Sequence, residues 1–357
     1  MKMKINLEPE PENPHDIESM THVGSTFMIT NKSDLYFSVI SIFVVQAVII
    51  YSTMNNTNKL NLQQIPSTTK IYIYKNEIYL PLPFNSIIIN IFRFFVKLPI
   101  EAGIVILTSL YTFFSMFLFR KVLRVLKLSK YVNPVSCIYL IYPSSRITSS
   151  CIASRDILLL ILIYLSIILY HQNQYIVLNF ILVLASITST EGIILYISAA
   201  LCYLFRNPII TFTYTIQIYP IYLLQVKMGF QTILLPNIIE YLKFFINSIS
   251  YVRETNGILE CILISILGIL FIWFHSSYAF ALSFMFWLNA VVHSLSSDIV
   301  RGTTIPLTLS LIGFSSLITP RLRFALYIAS VLFLIPAVFH ASLPFIQFYP
   351  SKDELVN

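Results

Sequence analysis

Charge is what this sequence has least of. Only 11% of its 357 residues are Asp, Glu, Lys or Arg, less than half the roughly 25% of an ordinary soluble domain. Hydrophobic residues make up 57% and the mean hydropathy is +0.77, which excludes a water-soluble globular chain of this length. The four cysteines, Cys137, Cys151, Cys202 and Cys261, lie in apolar segments without CxxC spacing, so neither a disulfide framework nor a metal centre is supported. His15, His22, His171, His275, His293 and His340 are scattered without ligand spacing. No nucleophile–base signature or phosphate loop stands out, and no cofactor is expected. The leader 1–34 carries Pro9, Pro11 and Pro14 among Glu8, Glu10, Glu12, Asp16 and Glu18. It lacks the basic start and apolar core of a signal peptide and reads as a flexible polar extension. The tail holds Lys352-Asp353-Glu354-Leu355, but Val356-Asn357 follow, whereas a retention signal is read at the extreme C-terminus.

What is present is a series of apolar runs, several of roughly 18 to 20 residues, the length of a membrane-spanning helix. They are too continuous for the alternating strands of a barrel. The expected fold is therefore all-α, a polytopic membrane helix bundle of ten to twelve spans occupying 35–347, with a short tail at 348–357. Spans are expected near 35–52, 101–119, 157–170, 175–190, 191–206, 208–226, 257–274, 276–294, 303–319 and 323–345. The stretch 132–170 is broken by Pro134, Pro143, Ser144-Ser145-Arg146 and Arg155-Asp156. Such interrupted segments at membrane depth line cavities or are covered by protein.

The net charge of +7 predicts no nucleic-acid partner, because Lys and Arg in a polytopic chain mark the cytosolic side. Arg120, Lys121, Arg124, Lys127 and Lys130 form the densest basic cluster, just after the second span, and are expected in the cytosol. The loop 53–83 one span earlier holds the sequon Asn55-Asn56-Thr57 and is expected to be luminal.

Two segments carry patterned polar groups. In Phe84–Leu98, Ser86, Asn90, Arg93 and Lys97 form one stripe of a helix, so Arg93 and Lys97 would meet lipid phosphates if that helix lies in the membrane plane. In Leu235–Ile249, Pro236 can open a helix on which Asn237, Glu240, Lys243 and Asn247 share roughly one third of the circumference. That face reads either as a solvated stripe or as a polar wall turned toward a ligand or a subunit. The six residues Arg93, Lys97, Asn237, Glu240, Lys243 and Asn247 are the candidate lipid-binding set. Asp156, Glu191, Glu240, Glu260 and Asp298 lie in or near spans, where an ionisable group is a functional candidate by default.

Several of these stretches resemble the PIG-U family, the polytopic subunit of the glycosylphosphatidylinositol (GPI) transamidase. Pro236-Asn237-Ile238 followed by Phe244-Phe245 reproduces a family pattern, with Leu242-Lys243 where the family has an aromatic pair. Tyr72 and Pro81-Leu82 match its first loop, and Tyr142-Pro143-Ser144-Ser145 matches its Asn-Pro-x-Thr/Ser stretch with Tyr in place of Asn. Leu184-Ala185-Ser186 through Leu204-Phe205-Arg206 aligns without gaps, and Pro336 with His340 matches a Pro-x-x-x-His near the C-terminus. The family's Asn-His pair is replaced by Ser315-Ser316-Leu317.

The resemblance implies a fold like that of the dolichol-dependent (GT-C type) glycosyltransferases and a place in the endoplasmic reticulum membrane. It also implies a non-catalytic role, holding the GPI lipid or the C-terminal attachment signal. The partners implied are the cysteine-protease catalytic subunit, the scaffold subunits and the GPI glycolipid. The alternative is a GPI mannosyltransferase using dolichol-phosphate-mannose, which would need an essential carboxylate in the first luminal loop. That loop offers Glu77 alone, among Lys59, Lys70 and Lys75.

Overall fold

The computed structural model describes residues 32–55, 72–74, 77–79, 88, 91, 100–141, 155–204, 206–227, 258–293, 299–319, 322–330 and 332. In chain order its helices are α1 (Lys32–Asn55), α2 (Ile100–Val125), α3 (Val132–Ile141), α4 (Arg155–His171), α5 (Tyr175–Thr188) and α6 (Ile193–Tyr203). They continue with α7 (Pro208–Lys227), α8 (Ile258–Ile272), α9 (Ser277–His293), α10 (Ile299–Phe314) and α11 (322–330). The expected all-α architecture is what the described residues show, with one addition. Tyr72–Tyr74 (β1) and Glu77–Tyr79 (β2) form a small antiparallel hairpin in which Tyr74 stands opposite Glu77. α1 begins at Lys32, so Lys32, Ser33 and Asp34 belong to a helix rather than to the polar extension.

After Asp156, α4 is apolar around its circumference, as Ile157-Leu158-Leu159-Leu160-Ile161-Leu162-Ile163 illustrates. A helix without a polar face must be enclosed on all sides, and Ile157 through Tyr164 are all buried. α2, α5 and α9 surround it. Elsewhere neighbouring helices pack as hairpins: α1 on α2, α4 on α5, α6 on α7. The α4–α5 turn is set by Asn173 at φ 54°, a left-handed position that Asn tolerates better than most residues. There Gln174 N–H reaches Leu169 C=O at 3.1 Å and Asn173 N–H reaches Tyr170 C=O at 3.2 Å. The carbonyls at the end of α5 are met from α7, where buried Gln225 donates to Ser186 O at 2.9 Å and Ser189 O at 3.3 Å.

α8 and α10 approach most closely. A methyl group on Gly313 would run into the Gly268 carbonyl oxygen, and one on Gly268 would sit 2.6 Å from Ser310 O. Only glycine permits this backbone-to-backbone contact. Polar side chains point inward across the bundle: Gln46 donates to Ser109 Oγ between α1 and α2, and Tyr278 OH donates to Ser166 Oγ between α9 and α4 at 3.1 Å. Among the described residues one helix segment, Ile106–Val125, is long and apolar enough to cross a membrane. Ile157–His171, Tyr175–Thr188, Ile193–Tyr203 and Ile305–Leu317 are apolar but shorter.

Candidate functional site

None of the six candidate lipid-binding residues, Arg93, Lys97, Asn237, Glu240, Lys243 and Asn247, falls within the described residues. Of the first patterned segment, Ile88 is helical and half-buried against the core while Ile91 is helical and exposed. Glu191 lies in the 3-10 turn Thr190–Gly192 and accepts a hydrogen bond from Ser189 Oγ. Asp156 falls in the first turn of α4 and Glu260 in the first turn of α8.

The charged groups that the fold does bring together were not grouped by sequence reasoning. α1 and α2 pack antiparallel, so the start of one and the end of the other share one end of the bundle. There Asp34 accepts Arg120 Nε–H at 2.7 Å and a two-pronged contact from Arg124 Nη1 and Nη2. Arg120 also donates to Ser136 Oγ at 2.7 Å, Asn133 Oδ1 at 2.8 Å and Ser33 Oγ at 3.0 Å. Its guanidinium lies 4.3 Å from the Phe37 ring centroid. The Arg120 side chain is 0% exposed and that of Asp34 3%, whereas Arg124 keeps 30%. Burial alone pushes the Asp34 carboxyl up. The hydrogen bonds and charges of Arg124 and Arg120 outweigh it and hold the group below its ordinary value. The sequence signal was available: a carboxylate directly before one span and two arginines directly after the next must meet if the spans form a hairpin.

Just beyond this cluster α2 stops in a left-handed cap. Leu128 N–H bonds Leu123 C=O at 2.8 Å and Lys127 N–H bonds Arg124 C=O at 2.9 Å, with Lys127 at φ 61°. This is the Schellman arrangement, in which the left-handed position is usually glycine. Buried Leu128 over buried Leu123 supplies the hydrophobic contact that accompanies it. Lys127 and Lys130 are exposed. From the far end of the chain, the Arg323 guanidinium of α11 sits 5.2 Å from the Tyr131 ring centroid.

α3 separates this charged end from an apolar pocket of about 230 Å³, half open to the surface. Val135 and Ile138 line it from α3, Leu311 and Phe314 from α10, and Leu322 and Leu326 from α11. Its walls are almost wholly carbon, and it is larger than the roughly 150 Å³ apolar cavity that suffices to hold a benzene. The pocket can accept a hydrocarbon segment and offers almost no hydrogen bonding. No family model, curated protein or solved structure matches the chain.

Proposed function

We propose that this chain is a multi-pass protein of the endoplasmic reticulum membrane and a non-catalytic subunit of the GPI transamidase. Its role would be to hold the GPI lipid or the C-terminal attachment signal while the anchor is attached. The observation that carries the membrane half of this reading is the distribution of side chains. Leu35, Phe43, Ile176, Phe212, Leu270 and Phe324 stand exposed on the outer helices, while Ser38, Ser166, Ser186, Ser198, Thr308 and Ser315 are buried between helices. The core is apolar as well, but water disfavours so many large apolar side chains on the outer surface. Lipid has no preference for burying apolar groups, and interhelical contacts in it favour small and hydroxylic residues.

Among the described residues α2 alone carries a segment long and apolar enough to cross a bilayer. α4, α5 and α6 have 17, 14 and 11 residues, which at 1.5 Å per residue is about 16 to 26 Å. A hydrocarbon core is about 30 Å thick. Helices of that length fit a bundle of ten to twelve spans in which several are interrupted and shielded by their neighbours. The GPI half rests on the resemblance, of which one gapless stretch, Leu184 to Arg206, covers the end of α5, the Gly192 turn and α6. The apolar pocket adds a place for a lipid chain or for part of a hydrophobic signal.

The test separates a holding subunit from a mannosyltransferase. In cells depending on the variant chain, Asn237→Leu with Glu240→Leu should cause complete GPI precursors and uncleaved proproteins to accumulate together. Glu77→Gln should leave GPI precursor synthesis intact. A glycolipid stalled at a mannose-poor intermediate in the Glu77→Gln cells would overturn the proposal in favour of the mannosyltransferase.

A further inference from the structure

We infer that the turn after α2 and the start of α11 together form a cationic surface that binds the phosphate head groups of anionic phospholipids, a property resting on the membrane reading above. Lys127 and Lys130 are exposed, and among the described residues no carboxylate pairs with either. Asp34, at the same end of α2, is already bonded to Arg120 and Arg124 and withdrawn from the surface. The fold adds a third cation that sequence order keeps nearly two hundred residues away. Arg323, half-exposed, is brought over Tyr131, the neighbour of Lys130.

The backbone under Lys127 points the same way. A left-handed φ of 61° suits glycine and penalises a residue with a Cβ, yet a lysine occupies it. The cap hydrogen bonds to Leu123 and Arg124 fix that residue beyond the last turn of α2. α2 contains Ile106–Val125, the segment long enough to cross a bilayer, so cations just past its end stand at head-group level. A tyrosine beside them is the usual companion at that depth. Three cations from two distant parts of the chain, with no acidic partner among the described residues, match the charge of a leaflet rich in anionic lipid.

The experiment uses the full chain reconstituted in nanodiscs of equimolar phosphatidylcholine and phosphatidylserine, a lipid unrelated to GPI, and reads the lipid ratio retained after detergent extraction. Wild type should be enriched in phosphatidylserine. Each of Lys127→Gln, Lys130→Gln and Arg323→Gln should lower the enrichment by about fivefold, the effect of one cation near a charged surface. Lys127→Gly separates the role of the charge from that of the fold. It should raise the melting temperature, because glycine adopts the cap freely, while losing as much phosphatidylserine as Lys127→Gln. Unchanged enrichment in the triple Gln variant would overturn the inference. So would displacement of the lipid by millimolar inorganic phosphate, which would mark a small-anion site. Enrichment that emerges only when Glu8, Glu10, Glu12, Asp16 and Glu18 are neutralised to Gln or Asn would assign the surface to the leader instead and overturn the lipid reading. Alkaline carbonate extraction keeps the two levels apart. Release of the chain from membranes refutes the membrane reading itself, whereas retention without phosphatidylserine enrichment refutes this inference alone.

Discussion

Replacing Asp34 by Asn tests whether the ion cluster holds the α1–α2–α3 corner together. The substitution keeps the shape and one acceptor oxygen but removes the negative charge. Arg120, which is 0% exposed, retains Ser136, Asn133 and Ser33 as acceptors, so what it loses is charge compensation rather than hydrogen bonding in general. Leaving one member of a buried pair uncompensated costs about 3–5 kcal/mol, a hundredfold to a few thousandfold in the folded-to-unfolded ratio at about 1.4 kcal/mol per factor of ten. Arg124 is different, because with 30% of its side chain exposed its cation can turn outward. Arg124→Gln should therefore cost about 1 kcal/mol or less. The double variant Asp34→Asn with Arg120→Met removes the stranded charge and should recover most of the loss. Unfolding by titration with SDS in mixed micelles, run as a double-mutant cycle, measures all three. If Asp34→Asn and Arg124→Gln are equally mild, or the double variant is worse than Asp34→Asn, the cluster does not carry the corner and the reasoning fails.

Three further outcomes follow from the same structure. The Asp34 carboxyl titrates below its ordinary value in the folded chain, so its stabilisation is complete above the unfolded value of about 3.9 and is lost as pH falls through the lower folded value. The wild-type melting temperature should drop more steeply below about pH 4 than that of Asp34→Asn, and parallel acid profiles would contradict this. Gly313→Ala places a methyl group against the Gly268 carbonyl, so it should destabilise by about 1–3 kcal/mol, where an unobstructed helix position would gain about 1 kcal/mol from alanine. A rise in melting temperature would show that α8 and α10 do not approach so closely. Asp34 and Arg120 touch, so the start of α1 and the turn after α2 lie at the same end of this helix pair. Glycosylation sites inserted in each should be modified together or not at all, and both should differ from sites in 53–83.

Most of the helices were legible from the sequence because a long apolar run permits no other backbone. The spans expected near 157–170, 175–190, 191–206, 257–274 and 276–294 correspond to α4, α5, α6, α8 and α9, each interrupted where Asn173, Gly192 or a serine-bearing turn supplies the local break. The break expected at Pro143 lies outside the described residues. Periodicity could not reveal which groups meet across the bundle, since a helix pattern specifies a face and not the face opposite. Periodicity therefore marked Arg120 and Arg124 as one membrane side and Asp34 as the end of a polar leader, and only the pairing of the two spans joins them.

Composition and run length by themselves determined that this chain is a set of apolar helices, because the free energy of hiding so much apolar surface dwarfs every other local preference. Tertiary structure alone decided where the few charges go. Arg120 and Asp34 lie 86 residues apart in the chain, and Arg323 reaches Tyr131 from farther still. Electrostatic and hydrogen-bond terms act over a few ångströms in space, and only the path of the folded backbone brings such partners within that range.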